Sequence, residues 1–426
     1  RAAPAPHSAA MGLTSTLASM ALPFIPAPVR RAAAAAADAA AGAAVRATDS
    51  DRVPDFAIRA GIRALLAQRD AMVGGGEGGE GGAKRSRPPG HALTSRHPSL
   101  LSPQSHVGVE EAARVTQAFV DELDASPVAV QTAAANEQHY EVPTPYFEAV
   151  LGARMKYSCC LYPDPSTTLD EAEEAMLATA AARARLADGQ AVLELGCGWG
   201  SLCLYIAEKY PGSSVTAVSN SRTQKAHIDA TARARGLTNL TVLTADAATF
   251  IPPASTFDRV VSVEMFEHMK NYRALMTRIE HSLKPGGRLF VHVFVHRSMP
   301  YHFESAGPTD WMATHFFSGG TMPSADLLPR CAPAGLALAG QWAVNGTHYA
   351  RTLEDWLKKH DAAKGAVAAV MADTYGAADA ARWAQRWRIF YMACSELFAY
   401  KGGDTWYVAH YAWDKDGGGE KAVGAA

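Results

Sequence analysis

A short apolar segment that breaks into three alternate glycines constrains this chain of 426 residues more than any other feature. The segment Val192–Gly200 has the sequence VLELGCGWG, and a run with helical character, Leu202–Lys209, follows it. Glycines at such a strand-to-helix turn let the backbone bend sharply and let a bulky ligand rest against bare main chain. The spacing is G-x-G-x-G rather than the G-x-G-x-x-G of dinucleotide sites, and Glu194 precedes it. The sequence therefore predicts a nucleotide-type ligand in this loop.

Strand-like and helical segments alternate from residue 190 to residue 298, which is typical of a parallel sheet covered by helices on both faces. After residue 298 the alternation stops, and candidate strands at 337–344 and 405–413 flank an aromatic-rich helical segment at 351–401. We expect these strands to finish the sheet antiparallel, with the helical insertion over the pocket. The predicted parallel strands are 191–195, 215–219, 241–245, 259–263 and 288–295, the helices include 109–124, 221–235 and 271–283, and KPGG at 284–287 is predicted to be a sharp turn.

Composition divides the chain into six predicted regions. The first fifty residues are rich in Ala, Arg, Ser and Pro, and a glycine-rich, basic run begins at Gly74. That run has too little apolar surface to order itself, so it is predicted to be a flexible insertion. The regions are a low-complexity segment (1–52), an N-terminal helix (53–73), a disordered insertion (74–108), a helical cap (109–189), the ligand-binding α/β core (190–298) and a helical substrate-binding insertion with the final strands (299–426).

The overall composition excludes several classes of protein. A net charge of −2 offers no basic surface for nucleic acid. The six cysteines form no C-x-x-C pair, which argues against a disulfide framework or a structural zinc site and favours a reducing compartment. We predict no transmembrane helix, because prolines interrupt the uncharged run from Met11 to Val29. We expect a cytoplasmic protein, although the N-terminal composition fits a plastid or other organelle transit segment as well as a disordered tail.

Polar residues follow the predicted second and third strands, at the edge where ligands bind in open α/β sheets. Asn220 and, one helical turn later, Gln224 occupy the place where most nucleotide-binding folds carry an acid for the ribose hydroxyls. An amide both donates to and accepts from a hydroxyl, so the substitution is chemically workable, and a helix N-cap is an equally good interpretation of Asn220. Asp246 follows the third strand, where a carboxylate can accept from the exocyclic amine of an adenine.

Two carboxylates and an imidazole, Glu264, Glu267 and His268, follow the predicted fourth strand. An amine must lose a proton before it can act as a nucleophile, and a carboxylate or neutral imidazole that takes the proton contributes ~10²–10⁴-fold. The carboxylates would also attract a cationic amine. The alternative is that the two glutamates are acids that complement a helix N-terminus. The spacing matches no standard zinc helix, so we predict no metal site among Glu267, His268, His292 and His296.

Several long segments of the chain are characteristic of one group of enzymes. They are NEQHYEVP (136–143), MKYSCC (155–160), VLELGCGWGSL (192–202), SVEMFEHMKNY (262–272), FSGGTMP (317–323), VNGTHY (344–349) and ACSELF (393–398). Together they resemble the plant coclaurine N-methyltransferase group, which belongs with the cyclopropane fatty acyl phospholipid synthases. The resemblance covers about residues 110–415, with a weaker match at 53–70. It implies an α/β fold with a Rossmann-like class I methyltransferase sheet, a helical insertion that roofs the pocket, and S-adenosylmethionine (SAM) as the cofactor.

The resemblance also implies roles for single residues. Glu264, Glu267 and His268 would serve the amine, and Cys394 matches a cysteine of the lipid-modifying relatives that has been considered catalytic. A small buried hydrophobe is the plainer interpretation of Cys394. The residues implied to lie at SAM are Ser158, Gly196, Gly198, Gly200, Asn220, Gln224, Asp246, Ala247 and Val263.

The two branches of this group predict different acceptors. In the lipid synthases, groups that match Cys159, Glu267 and His292 hold a bicarbonate ion, and this chain keeps all three residue types. The sequence VFVH at 293–296, the FSGGTMP segment and the tail favour the amine methylators instead. We therefore expect a SAM-dependent N-methyltransferase for a small, partly aromatic amine, with methylene transfer to an unsaturated lipid acyl chain as the alternative. A SAM-binding protein without catalysis is a third, disfavoured interpretation.

We expect an aromatic roof over the amine, since aromatic faces attract cations. The sequence leaves the identity of the acceptor and the oligomeric state open. The predicted roof comprises Trp311, Phe316, Phe317, Trp342 and Tyr349, although core packing is the better interpretation of Trp342.

Overall fold

A computed structural model describes residues 47–49, 53–73, 106–129, 142–303 and 311–416. The main strands are β1 (Ala191–Leu195), β2 (Ser214–Ser219), β3 (Leu240–Thr244), β4 (Phe257–Val263), β5 (Leu283–His296), β8 (Leu336–Val344) and β9 (Trp406–Lys415). They form one seven-stranded sheet with the order β3-β2-β1-β4-β5-β9-β8. Strands β1 to β5 pair in parallel, and β9 pairs antiparallel with both β5 and β8. A separate ribbon pairs β6 (Tyr301–His302) with β7 (Thr321–Met322).

Helices cover the sheet because its inner strands are buried on both faces. Four of the five residues of β1 are buried, and so are the last ten of β5, which explains why apolar residues occupy most of these positions. The helices that precede or connect the parallel strands are α1 (Asp55–Val73), α2 (His106–Ala125), α3 (Thr144–Val150), α4 (Leu169–Arg183), α5 (Ser201–Lys209), α6 (Arg222–Ala234) and α7 (Tyr272–Ser282). The short helices α8 (Trp311–His315) and α9 (Leu327–Cys331) lie between β6 and β8.

The predicted strands and the helices between the parallel strands agree with the structure to within two residues, except at the start of β5. The helical segment predicted at 351–401 begins earlier, at Gly346. β5 begins at Leu283, but Lys284–Gly287 have no partners in β4 or β9, and Gly286 is left-handed with φ of 74°, so the predicted turn interrupts the start of this strand. Leu283 pairs with Phe257, and a register shift before Arg259 accommodates the extra residues. The helix predicted from residue 109 begins at His106. The predicted segment 1–46, most of the predicted insertion (74–105) and the motif residues 136–141 lie outside the described residues.

Three helices fill the predicted insertion between β8 and β9: α10 (Gly346–Ala362), α11 (Lys364–Tyr375) and α12 (Ala380–Ala399). Asn345 caps α10, since its side chain accepts a hydrogen bond from the Thr347 amide. The insertion packs on α3 through buried aromatic residues, and the hydroxyls of Tyr146 and Tyr391 lie 2.9 Å apart. The insertion is thereby anchored to the cap rather than held only by its two ends.

Helix α1 packs against this insertion. Ile58 is buried in the same apolar cluster, and Arg59 forms ion pairs with Glu354 at 2.7 Å and Glu396 at 3.2 Å. Arg388 of α12 reaches back to Asp55 at 2.8 Å. Within the described ranges, no helix combines the length and the apolar character that a bilayer span requires.

Candidate active site

An open cavity lies at the carboxyl ends of β1, β2, β3 and β4, where an open α/β sheet binds its ligands. The residue or loop that follows each of these four strands lines it. Ten of the residues predicted from the sequence are among the lining residues: Ser158, Gly196, Gly198, Asn220, Gln224, Asp246, Ala247, Val263, Glu264 and His268. Gly200, Glu267 and Cys394 lie outside the lining.

The three loop glycines have left-handed backbone conformations, with φ of 79° at Gly196, 51° at Gly198 and 87° at Gly200. Their surroundings differ. A Cβ at Gly198 would have no atom within 4 Å, so the main chain faces open space there. A Cβ at Gly200 would lie 2.6 Å from Ile228, because Gly200 begins α5 beside α6. Gly198 therefore leaves room for a ligand, whereas Gly200 permits helix packing.

The end of β2 presents amide groups to the cavity. Ser221, not Asn220, is the N-cap of α6, and its side chain accepts from the Gln224 amide. The N-cap interpretation of Asn220 is therefore wrong, and the residue lines the cavity instead. Gln224 Oε1 accepts from the Ser219 hydroxyl at 2.7 Å, and Gln224 Nε2 is buried without a hydrogen-bond partner among the described residues. A buried donor of this kind calls for an acceptor on a ligand.

Glu264 has its carboxylate fixed by three donors. Oε1 accepts from the Cys159 amide at 2.9 Å and contacts His292 Nε2 at 3.0 Å, and Oε2 accepts from the Tyr349 hydroxyl at 2.5 Å. The backbone at Glu264 is left-handed, with φ of 45°, a strained geometry typical of functional sites. The pKa of Glu264 is raised overall, because burial outweighs the positive charge of Lys156 and the bond from Tyr349, which both lower it. The donors favour the anionic carboxylate.

Burial favours the uncharged form of both Glu267 and His268. Glu267 is buried, and burial together with the charge of Glu264 raises its pKa well above the usual range. Its Oε2 has no hydrogen-bond partner among the described residues. Burial lowers the pKa of His268 to about 4, and its ring stacks on Phe317 with the ring centres 5.1 Å apart. The cavity wall thus carries a carboxyl group held by three partners, Glu264, and a neutral imidazole, His268.

The predicted catalytic cysteine, Cys394, lies on α12, behind this wall. Burial and the charge of Glu264 raise the pKa of its thiol to about 12. The thiol is therefore protonated, which removes its nucleophilic form. A catalytic role for Cys394 stays a prediction, and the structure supports packing.

The predicted aromatic roof divides into two groups. Phe317 stacks on His268 and Tyr349 binds Glu264, so these two residues contact the site. Phe316 stacks on Phe390 inside the insertion, with Trp311 beside it. Trp342 lies on β8 beneath the Arg183 guanidinium at 5.0 Å, which agrees with a packing role.

Three residues that support the site were not predicted from the sequence: Lys156, His410 and Arg183. Lys156 is buried, and its Nζ donates to the Ser158 hydroxyl at 2.5 Å and to the Cys159 carbonyl at 2.6 Å, so it fixes the segment that contacts Glu264. The MKYSCC motif contains Lys156, and that motif could have pointed to it. His410 and Arg183 lie in no motif; the pairing of β5 with β9 brings His410 to His292, and the end of α4 brings Arg183 to His410.

Known proteins show which family this chain belongs to. A family model described as mycolic acid cyclopropane synthetase matches residues 129–408. The chain belongs to the mycolic acid cyclopropane synthetase family. It is 39% identical over 292 residues to (S)-coclaurine N-methyltransferase of Thalictrum flavum subsp. glaucum, covering 68% of this chain and 80% of that protein. It is 28% identical over 274 residues to the cyclopropane-fatty-acyl-phospholipid synthase of Escherichia coli K12, covering 64% and 66%.

Solved structures of the family agree with this assignment. The crystal structure of coclaurine N-methyltransferase bound to N-methylheliamine and SAH matches with a TM-score of 0.76 and 32% identity, over 87% of this chain and 98% of that one. The mycolic acid cyclopropane synthase CmaA1 complexed with SAH and CTAB matches with a TM-score of 0.57 and 25% identity, over 67% and 98%. The predictions of a class I methyltransferase fold, of SAM as cofactor and of a SAM-dependent N-methyltransferase are confirmed.

The residues of the cavity fit SAM. The open main chain at Gly198 leaves room for a bulky ligand, and the unpartnered Gln224 Nε2 can donate to a ribose hydroxyl. Asp246 keeps one oxygen on the Ala248 amide at 2.8 Å and lines the same cavity with its carboxylate. SAM would therefore lie along the ends of β1, β2 and β3.

Proposed function

We propose that this protein transfers the methyl group of SAM to the nitrogen of a small amine that carries an aromatic ring. One observation carries the proposal: the carboxylate of Glu264 and the neutral imidazole of His268 line the same cavity as the glycine loop and the polar residues after β2 and β3. The named relatives include enzymes that methylate the nitrogen of (S)-coclaurine and (S)-tetrahydroprotoberberine. An amine acceptor suits this pair of groups, because it arrives as a cation and must become a neutral nucleophile.

Glu264 and His268 have different roles in the proposed reaction. Glu264 attracts the ammonium form, and this attraction is strong because only 7% of its side chain is exposed. His268 is neutral above about pH 4, so it can accept the proton that the amine releases. SAM, when bound, supplies a methyl group on a positively charged sulfur. Phe317, stacked on His268, orients the imidazole and offers an apolar face to the ring of the acceptor.

The position of Glu264 argues against the lipid alternative. By resemblance, the lipid synthases hold bicarbonate with groups that match Cys159, Glu267 and His292. Here the Cys159 amide and His292 both bind the Glu264 carboxylate. A fixed side-chain anion already satisfies the donors that a bicarbonate ion would need, so we favour the amine acceptor.

The acceptor class can be tested with SAM labelled in its methyl group. The purified protein would be incubated with a panel of aromatic secondary and tertiary amines, and in parallel with vesicles of unsaturated phospholipid. We expect label in amine products and none in lipid. Label in lipid alone would overturn the proposal, and binding of SAM by calorimetry without turnover of any acceptor would support a non-catalytic protein.

The role of His268 needs its own variant. His268→Ala should lower kcat by roughly 10²–10⁴-fold and leave the Kd for SAM unchanged. His281→Ala removes an exposed histidine of α7 and is the matched control. Equal activity of the two variants would remove His268 from the mechanism.

A further inference from the structure

Behind Glu264, three side chains form one row of hydrogen bonds across the sheet. His292 of β5 and His410 of β9 are direct partners in the antiparallel pairing, and His292 Nδ1 lies 2.9 Å from His410 Nε2. At the outer end, Arg183 Nη1 in the last turn of α4 lies 2.5 Å from His410 Nδ1. At the inner end, His292 Nε2 contacts Glu264 Oε1 at 3.0 Å. The row connects a half-buried guanidinium to the cavity.

Arg183 fixes the direction of every hydrogen bond in this row. A guanidinium only donates, so His410 Nδ1 must accept and must carry no proton. The remaining proton of His410 is then on Nε2, which donates to His292 Nδ1. His292 in turn carries its proton on Nε2, which donates to the Glu264 carboxylate. One arginine thereby sets the tautomers of two histidines, a role that second-shell hydrogen bonds commonly have.

The surroundings keep both imidazoles neutral. His410 has 0% of its surface exposed and His292 has 1%. Burial lowers the pKa of each well below the usual range; for His292 the charges of Lys156 and Arg183 add to this effect, and for His410 the neighbouring His292 and the Arg183 charge do. Arg183 is held in place by Trp342, which lies opposite His410 on β8 with its ring 5.0 Å from the guanidinium. Because a guanidinium does not release its proton, this row of hydrogen bonds does not carry a proton from the cavity to solvent.

We infer that Arg183 and His410 are positioning residues for methyl transfer, which hold His292 in the tautomer that donates to Glu264 and so keep that carboxylate fixed and anionic in the cavity. This inference rests on the proposed function of Glu264. It concerns residues outside the cavity lining, and neither lies in a motif that sequence analysis singled out.

The inference has a definite consequence for pH dependence. Removal of the Arg183 charge lets a proton enter the cluster at a higher pH, so the acid limb of the kcat/KM profile should move upward. The other titratable and charged groups around the row are Lys156, Cys159, Glu267, His268, Tyr349 and Cys394. None of them is changed in the variants below.

Nitrogen NMR of protein labelled with ¹⁵N-histidine tests the tautomers without any assay of activity. In the natural protein we expect His292 and His410 both to be neutral with the proton on Nε2. Arg183→Met keeps an apolar side chain over Trp342 and removes the donor, so His410 should lose its single tautomer. Arg185→Met removes an exposed charge just past the same helix and is the control. Unchanged histidine signals in Arg183→Met would overturn the inference.

Kinetics on an amine acceptor supply the second readout. In Arg183→Met we expect kcat to fall by roughly 10–100-fold, the cost typical for removal of an outer partner of a functional histidine, together with the shifted acid limb and an unchanged Kd for SAM. His410→Gln should retain most activity, because an amide can accept from Arg183 and donate to His292, whereas His410→Phe should not. A loss of rate with no change in the pH profile would mean that Arg183 is only structural. Failure of the natural protein to methylate any amine would overturn the proposed function, and the NMR result would then decide this inference alone.

Discussion

The Tyr349 hydroxyl donates a 2.5 Å hydrogen bond to Glu264 Oε2, and this bond joins the helical insertion to the sheet. Tyr349 lies in the first turn of α10, and Glu264 directly follows β4. The other carboxylate oxygen is bound by the Cys159 amide and His292. Three separate parts of the chain therefore hold one carboxylate in place, and Tyr349 connects the helical insertion directly to the cavity wall.

Tyr349→Phe should move the pH dependence of catalysis. The hydrogen bond from Tyr349 lowers the pKa of Glu264, so its loss raises that pKa and shifts the acid limb of kcat/KM to higher pH. A hydrogen bond to a charged group contributes about 1.5–3 kcal/mol, which corresponds to roughly 10–100-fold in kcat/KM. Tyr391→Phe is the control, because it removes the buried contact with Tyr146 inside the insertion. It should lower stability and leave the pH profile in place; a shift equal to that of Tyr349→Phe would contradict the assignment.

Glu264→Gly should create a site for small anions. Glycine suits the left-handed backbone at φ of 45°, and the Cys159 amide, His292 and the Tyr349 hydroxyl then lack their acceptor. We expect a loss of turnover on the amine that formate or bicarbonate partly restores, because either anion can accept from these donors. The natural enzyme should gain nothing from the same salts. A folded variant that binds SAM but does not respond to either anion would show that the carboxylate acts in some other way.

The sheet was predictable because its strands carry strong local signals. β1 and β4 are buried on both faces, so their apolar runs stand out between turn residues. The start of β5 at Leu283 was not predicted, because Lys284, Pro285 and two glycines form a turn after it. Leu283 joins the sheet only through its pairing with Phe257, and regular pairing resumes at Arg288.

The residues of the cavity wall were predictable because the ends of the strands were, and Asn220, Asp246 and Glu264 each follow a strand. The residues that hold Glu264 in place were not predictable. His292 and His410 are 118 positions apart, and a sequence gives no register for an antiparallel pair formed across an insertion. Nor does a sequence separate Glu264, which is bound by three donors, from Glu267, whose carboxyl lies buried beside it.

Glu267→Gln tests whether Glu267 only has to be a neutral, buried acid. Burial and the charge of Glu264 keep it protonated, and glutamine resembles a protonated carboxyl in shape. We expect kcat within about threefold of the natural enzyme and an unchanged Kd for SAM, since neutral substitutions away from strained sites cost little. Single-turnover kinetics would check this. A fall in kcat of several hundredfold would show instead that Glu267 exchanges a proton during the reaction.

Glu194→Gln should prevent a loss of stability that the natural protein undergoes as the pH rises. Burial raises the pKa of Glu194 to about 8 from an ordinary 4.5, so the folded state keeps a proton that the unfolded state has already lost. The stabilisation from this group is complete below pH 4.5 and is lost as the pH rises toward 8. Between pH 5 and 7 the natural protein should lose about 3 kcal/mol of unfolding free energy that the glutamine variant keeps. Urea unfolding at pH 5 and pH 7 measures the difference, and the exposed Glu148→Gln is the control. If the unfolding free energies of Glu194→Gln and Glu148→Gln change equally with pH, the buried, protonated state of Glu194 is contradicted.

Gly198 and Gly200 should respond differently to alanine, because both have positive φ angles but their neighbours differ. Gly189, outside the site, has φ of 83° and no atom within 4 Å of a Cβ, so Gly189→Ala reports backbone strain alone, about 1–2 kcal/mol. Gly198→Ala should cost the same stability and weaken SAM binding at least tenfold, since its methyl group would occupy the open space of the cavity. Gly200→Ala should cost roughly 1–3 kcal/mol more than Gly189→Ala, because its Cβ would lie 2.6 Å from Ile228. Unfolding curves and calorimetric Kd values for all three variants test the assignment, and tight SAM binding by Gly198→Ala would place the cofactor elsewhere.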